Sequence, residues 1–309
     1  MADLLARLAY FLAALLTRLP WPWLLRLGDG IAALMLRRNT REARVARRNL
    51  ELIDPAASPA QREDMQQRVV RTTARQAIET MRLWTRPHAE NLALIREHHG
   101  VDLFDAAIRA GRGVIVAAPH YGNWELLNQW LAAHTPLAIL YAPPESAIGD
   151  AFLRRVRADD AHAQRVTQVR AEGPGVRQLF KLLKDGGVVG ILPDQQPKQG
   201  DGEFAPFFGV PALTMTLLGR LAHRTGAAVV FAYCERIDSG RHGAPAFALR
   251  IEAAPEGVDD ADPVAAVAAL NAGLERIARR DPSQYQWTYK RYTLRPSGSG
   301  YDNPYRGIR

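Results

Sequence analysis

Residues 118–130, APHYGNWELLNQW, set a histidine, a Gly-Asn pair and a glutamate between a short apolar run and an amphipathic segment. Inside one helix His120 and Glu125 would point about 140° apart, so they can meet only if His120 precedes the helix. Gly122 and Asn123 supply the turn, with Asn123 as N-cap and Glu125 in the first helical turn. An imidazole whose Nδ1–H is held by a carboxylate keeps Nε2 free as a base and is stabilised once protonated. Such a pair suits removal of a proton from a hydroxyl. The same residues also fit a structural histidine and a carboxylate complementing the helix dipole, and spacing alone leaves both readings open.

Other templates are missing. No HExxH, cysteine pair or third ligand at metal spacing accompanies the pair, so no metal is expected. There is no G-x-S-x-G elbow and no G-x-x-x-x-G-K-[ST] phosphate loop, and GDGIAA at 28–33 does not follow a sheet strand. With no serine or cysteine nucleophile tied to His120, the hydroxyl to be activated belongs to a substrate. The pattern implies direct transfer without a covalent enzyme intermediate.

The elements that must position these residues alternate. Apolar runs at 113–118, 137–142, 188–192, 227–233 and 246–252 read as strands. Helical patterns fill 124–133, 146–158, 174–184, 212–224 and 262–279. Ser58-Pro59-Ala60-Gln61 is a capping box opening a helix to about Trp84, and a further helix spans Val101 to Ala110. This order predicts an α/β fold with a largely parallel central sheet flanked by helices. Ligands of such sheets bind beyond the carboxyl ends of the strands. Two polar turns stand there, PHYGN after 113–118 and PDQQPKQGDG after 188–192, and they predict one site.

The chain has 309 residues, 47% apolar and 23% charged, a globular composition. Its single cysteine, Cys234, excludes an internal disulfide. A net charge of +8 implies an acidic partner. Residues 4–36 are mostly Leu, Ala, Trp, Phe and Ile, yet the run from Leu8 to Leu16 is too short to span a bilayer unaided. Six arginines then fall between Arg37 and Arg48. A tryptophan-flanked apolar segment followed by arginines predicts a membrane-anchoring helical segment at 1–36, with its domain in the cytoplasm. An α/β domain follows at 37–295, and a flexible tail at 296–309.

Several motifs taken in order carry a resemblance: the N-terminal hydrophobic helix, HYGNWE, LLKDGGVVGILPDQQP, GEFAPFFGVPA, LAHRTGAAVV and QYQWTYKRY. The His-x-x-x-x-Glu signature resembles the lysophospholipid acyltransferase superfamily. More narrowly, nearly the whole chain is similar to the late (lauroyl and myristoyl) acyltransferases of lipid A biosynthesis. The resemblance implies a glycerolipid-acyltransferase-like fold, no cofactor, and acyl carrier protein as thioester donor. The acceptor would be a hydroxyl of a lipid A precursor, at the cytoplasmic face of the inner membrane. It makes His120 the base and Glu125 its orienting partner. Arg157, Asp194 and Asn123 become candidates for binding substrate or the developing oxyanion.

Phe204, Phe207 and Phe208 are candidates for the border of an acyl channel, against the plainer reading of core. Lys290 and Arg291 fit either phosphate headgroups or cover for the sheet edge. AEGPG at 171–175 is not the E-G-T-[RS] block of glycerolipid acyltransferases, which disfavours a glycerol phosphate acceptor. A phosphatidylinositol mannoside remains the alternative acceptor. The non-enzyme alternative is a membrane-associated protein gripping anionic lipid. No nucleic-acid-binding module is present.

Overall fold

A computed structural model describes residues 2–141, 146, 152, 165–170, 173–237 and 243–308. Its centre is a seven-stranded sheet of order β1-β9-β8-β2-β5-β3-β4. The strands are β1 (Ile95–His99), β2 (Val114–Ala117), β3 (Leu137–Tyr141), β4 (Val166–Arg170), β5 (Val188–Ile191), β8 (Ala228–Ile237) and β9 (Ala246–Ala253). Within this sheet β8 and β9 pair antiparallel, and the other described pairs are parallel. The inner strands β2 and β5, VIVA and VVGI, are buried along their whole length, as a sheet covered on both faces requires. All five expected strands are present. β1 and β4 are not among the expected strands, because IREHH and VTQVR are edge strands carrying polar and charged residues instead of an apolar run.

The helices cover both faces. They are α1 (Ala2–Leu16), α2 (Trp21–Arg37), α3 (Arg41–Ile53), α4 (Pro59–Leu83), α5 (His88–Leu92), α6 (Val101–Arg109) and α7 (Trp124–His134). Further along the chain come α8 (Gly173–Lys184), α9 (Leu217–Thr225) and α10 (Pro263–Ala278). The expected capping box at Ser58 is formed in full, with Ser58 Oγ accepting from Gln61 N and Gln61 Oε1 from Ser58 N. The helix expected over 146–158 lies, apart from Ser146 and Phe152, outside the described residues, and so does Arg157.

Two boundaries differ from expectation. Residues 212–216, read as the start of a helix, belong to β7 (Val210–Met215) and the turn after it. β7 pairs antiparallel with β6 (Gly202–Phe207) as a separate hairpin. Its two-residue turn puts Phe208 at φ 52° and Gly209 at φ 71°. Such turns favour Asn-Gly, so the hairpin signal was masked by a phenylalanine in the left-handed region. The tail, expected to be flexible, is tied down at its end. Tyr305 is buried, its hydroxyl bonds Asn49, and Arg48 Nε donates to Pro304 O at 3.0 Å.

The N-terminal segment is two helices, not one. Pro20 and Pro22 lack the N–H needed to continue α1, and α2 restarts at an angle of 116° to it. No single described helix is long and apolar enough to cross a membrane. α2 is built into the body of the fold. Gly28 faces α4 so closely that an added Cβ would sit 3.1 Å from Arg75 Cα, and Asp29 accepts paired bonds from Arg71 and Arg75. GDG is thus a helix-packing device. α1 is different: Leu4, Leu8, Phe11, Leu12 and Leu15 are each more than half exposed.

Candidate active site

The site follows from strand register. β2 and β5 are parallel neighbours with Ala117 opposite Ile191. His120 and Asp194 each stand three residues beyond those partners, so the two turns deliver them to one point at the carboxyl edge of the sheet. Asp194 Oδ1 lies 2.7 Å from His120 Nδ1, and Asp194 Oδ2 accepts from the His120 backbone N–H at 2.8 Å. The two turns predicted to form one site do so.

Asp194 is 2% exposed. Burial alone would push its carboxyl up, but the His120 charge, the two hydrogen bonds from His120 and the nearby Arg291 hold it below the usual range. An ionised carboxylate only accepts, so Nδ1 carries the proton and the lone pair of the neutral ring sits on Nε2. Gln195 Nε2 lies 3.2 Å from that nitrogen and 3.5 Å from Gln286 Oε1. The Trp124 ring packs edge-on against the imidazole at 4.9 Å.

The expected Nδ1 bond to Glu125 is therefore not the one made: Asp194 holds that position. Glu125 is half-buried in the same cleft, where its Oε2 accepts from Trp84 Nε1 at 3.3 Å. The cleft has a volume of about 350 Å³. Its lining combines polar side chains, His120, Glu125, Asn128 and Gln195, with the apolar Ile139, Leu140, Leu192 and Met215. The cleft thus holds groups that can exchange protons together with apolar surface.

The His120 turn is clamped on both sides. Asn123 N donates to Cys234 O at 2.8 Å, and Gln286 N donates to His120 O at 3.0 Å. Gly122, at φ 60°, has no room for a side chain, since an added Cβ would lie 2.0 Å from Cys234 O. Asn123 is the expected N-cap, accepting from Leu126 N at 3.1 Å while its amide reaches Glu79. At 1% exposure it fixes the helix start and does not face the cleft, so it holds the site instead of touching substrate.

The aromatic candidates also move. Phe207 and Phe208 are buried with Tyr285 and Trp287, Phe204 pairs with Leu213 in the hairpin, and none of the three borders the His120 cleft. Phe207 at the end of its strand and Phe208 in the turn both pack into the core against Trp287. Arg291 is likewise buried, donating to Leu213 O and Thr214 Oγ1, and Lys290 Nζ donates to Ile308 O. Arg291 thus turns inward, and Lys290 is tied to the tail. Among the described residues no group of three His, Cys, Asp or Glu is placed to hold a metal ion.

Sequence reasoning missed the site roles of Gln195, Trp124 and Gln286. Gln195 and Trp124 lie inside the motifs that marked the site, so their position was the available signal. Gln286 comes from a segment remote in sequence that only folding brings near.

Residues 4–293 match the family of bacterial lipid A biosynthesis acyltransferases. The chain belongs to that family and is an O-acyltransferase. It is 29% identical to the lipid A biosynthesis lauroyltransferase of Escherichia coli K12 over 92% of this chain and 90% of that protein. Identity to the palmitoleoyltransferase of the same organism is also 29%, over 91% and 88%. A phosphatidylinositol mannoside acyltransferase of Mycobacterium tuberculosis is 29% identical over 44% of this chain and 42% of its own length.

Proposed function

We propose that the protein transfers a fatty acyl chain from acyl carrier protein to a hydroxyl of a lipid A precursor at the cytoplasmic face of the inner membrane. The observation carrying this reading is His120, with Nδ1 on a buried carboxylate and Nε2 at the wall of a half-apolar cleft. In the reaction, Nε2 takes the proton of the acceptor hydroxyl as its oxygen attacks the thioester carbonyl. The tetrahedral oxyanion collapses, the C–S bond breaks, and the imidazolium returns the proton to the leaving thiolate. A C–O ester bond replaces the C–S bond and the enzyme is unchanged.

Asp194 keeps the ring in the required tautomer and stabilises the imidazolium. Glu125 lines the same cleft, where its contact with Trp84 holds the carboxylate. The apolar lining residues Ile139, Leu140, Leu192 and Met215 suit an acyl chain. The lipid A acceptor is favoured because its relatives match about nine-tenths of the chain, whereas the mannoside acyltransferase matches under half. The exposed apolar surface of α1 supports lying in or on the membrane, with the Arg37–Arg48 cluster at anionic headgroups.

The test is acylation of an under-acylated lipid A precursor by purified protein in detergent, followed by mass spectrometry of the lipid. Wild type should add the mass of one acyl group. His120→Ala should lower the rate by about 10²–10⁴-fold while melting as wild type does. Full activity in that variant would remove His120 as the base from the mechanism.

A further inference from the structure

Two helices on the sheet turn like-charged stripes toward each other. On α8, Arg177, Lys181 and Lys184 follow at intervals of four and three residues, which puts them on one face. On α9, Arg220 and Arg224 are again four apart. All five line a groove of about 520 Å³ between the helices, with Val176 and Phe180 as its floor and Asp185 as its one acid. All five are exposed, and none forms an ion pair among the described residues. Arg224 lies over the Phe180 ring at 4.7 Å. Like charges at helical spacing repel and destabilise the free protein, whereas many arginines elsewhere are neutralised by Asp29, Glu79, Glu235 or Glu275. An acidic partner would relieve that repulsion.

The position of the groove suits delivery to the cleft. α9 begins two residues after Met215, which lines the cleft, and α8 follows the carboxyl end of β4 on the same edge of the sheet. Both helices then run back from that edge, so the groove starts beside the site and extends away from it. A bilayer is the other source of negative charge. The large apolar side chains exposed on this molecule cluster on α1 and α2, and neither groove helix carries one. A surface of charge over a small apolar floor fits a soluble acidic protein better than lipid.

We infer that the α8–α9 groove is the docking surface for the acidic acyl carrier protein that brings the thioester, an assignment resting on the donor proposed above. The carrier's acidic face sits over Arg177, Lys181 and Arg220, and its thioester arm reaches over the sheet edge to His120.

The test compares two donors with the same thioester: dodecanoyl-acyl carrier protein and uncharged dodecanoyl-pantetheine. The variant is R177E/K181E/R220E, with R177Q/K181Q/R220Q as a milder partner and thermal melts to confirm folding. The reversal should raise KM for the carrier donor by about tenfold or more and flatten the salt dependence of kcat/KM. Turnover of the pantetheine donor should stay within about twofold, and the glutamine variant should fall between. If wild type uses the carrier donor and its KM is unchanged by the reversal, the groove assignment is overturned and the donor reading stands. If wild type uses only the pantetheine donor, the donor reading fails and takes the assignment with it. Loss of binding to phosphatidylglycerol vesicles with an unchanged carrier KM would give the groove to the membrane instead.

Discussion

At the residue scale, the division of labour between two carboxylates is the central result. Asp194 touches both the backbone and the ring of His120, whereas Glu125 shares the cleft without holding Nδ1. The two substitutions should therefore differ in kind. Asp194→Asn removes the charge behind the imidazolium and opposes the tautomer that leaves Nε2 free. It should cost kcat on the order of 10²-fold or more with little change in KM, measured by initial rates against acceptor concentration. Glu125→Gln should lower kcat too, yet leave the imidazole held as it is. The ¹⁵N shifts of His120 should report the same Nδ1–H tautomer in E125Q and a mixed one in D194N. An unchanged tautomer in D194N would remove Asp194 from the orienting role.

At the element scale, the site depends on short segments held where substitution is not tolerated. Gly122 permits the His120 turn to press against the Cys234 carbonyl. Gly122→Ala should therefore destabilise by about 2 kcal/mol or more and displace His120, read as a fall in melting temperature together with lost turnover. The N-terminal pair has its own version of this constraint. Gly28→Leu should force α2 away from α4 and break the bonds of Asp29 to Arg71 and Arg75, so that the protein melts earlier. The burial of Leu24 and Ala32 on the same side of α2 makes that helix part of the core. Changing Leu8 and Phe11 of α1 to Asp should leave the melt unaltered and weaken sedimentation with vesicles, because those side chains are exposed.

At the scale of the whole molecule, ionic networks join segments far apart in sequence. Glu235 accepts from Tyr121, Arg250 and Arg280, which connects the His120 turn to β9 and to the segment after α10. Burial alone would raise its carboxyl, but bonds from Arg280, Tyr121 and Arg250 bring it down to about 2, from an ordinary 4.5. A carboxyl depressed in the folded state binds its proton more readily when unfolded, so its stabilisation is complete above about pH 4.5 and is lost as pH falls toward 2. Melting temperature should drop across that window, and Glu235→Gln should flatten the drop while lowering the plateau. The tail adds a second long-range tie through Tyr305 and Asn49, whose amide also bonds the carbonyls of Trp287 and Tyr289. Truncation after Arg295 should therefore reduce stability even though the removed residues are remote from the cleft.

The sequence by itself determined the alternation of buried strands and helices, the Asn123 cap, the Ser58 capping box and the meeting of two polar turns at one edge. Each is local, carried by periodicity or by side chains bonding to backbone a few residues away. Family membership was legible too, because its motifs recur in order along nearly the whole chain. Tertiary structure alone decided which carboxylate faces His120 Nδ1. That choice rests on Ala117 standing opposite Ile191, a register between strands more than seventy residues apart. It also decided that Phe207 and Phe208 enter the core, that Arg291 turns inward and that the tail docks on Asn49. Those outcomes come from packing and hydrogen bonds between distant segments, and no local pattern encodes them.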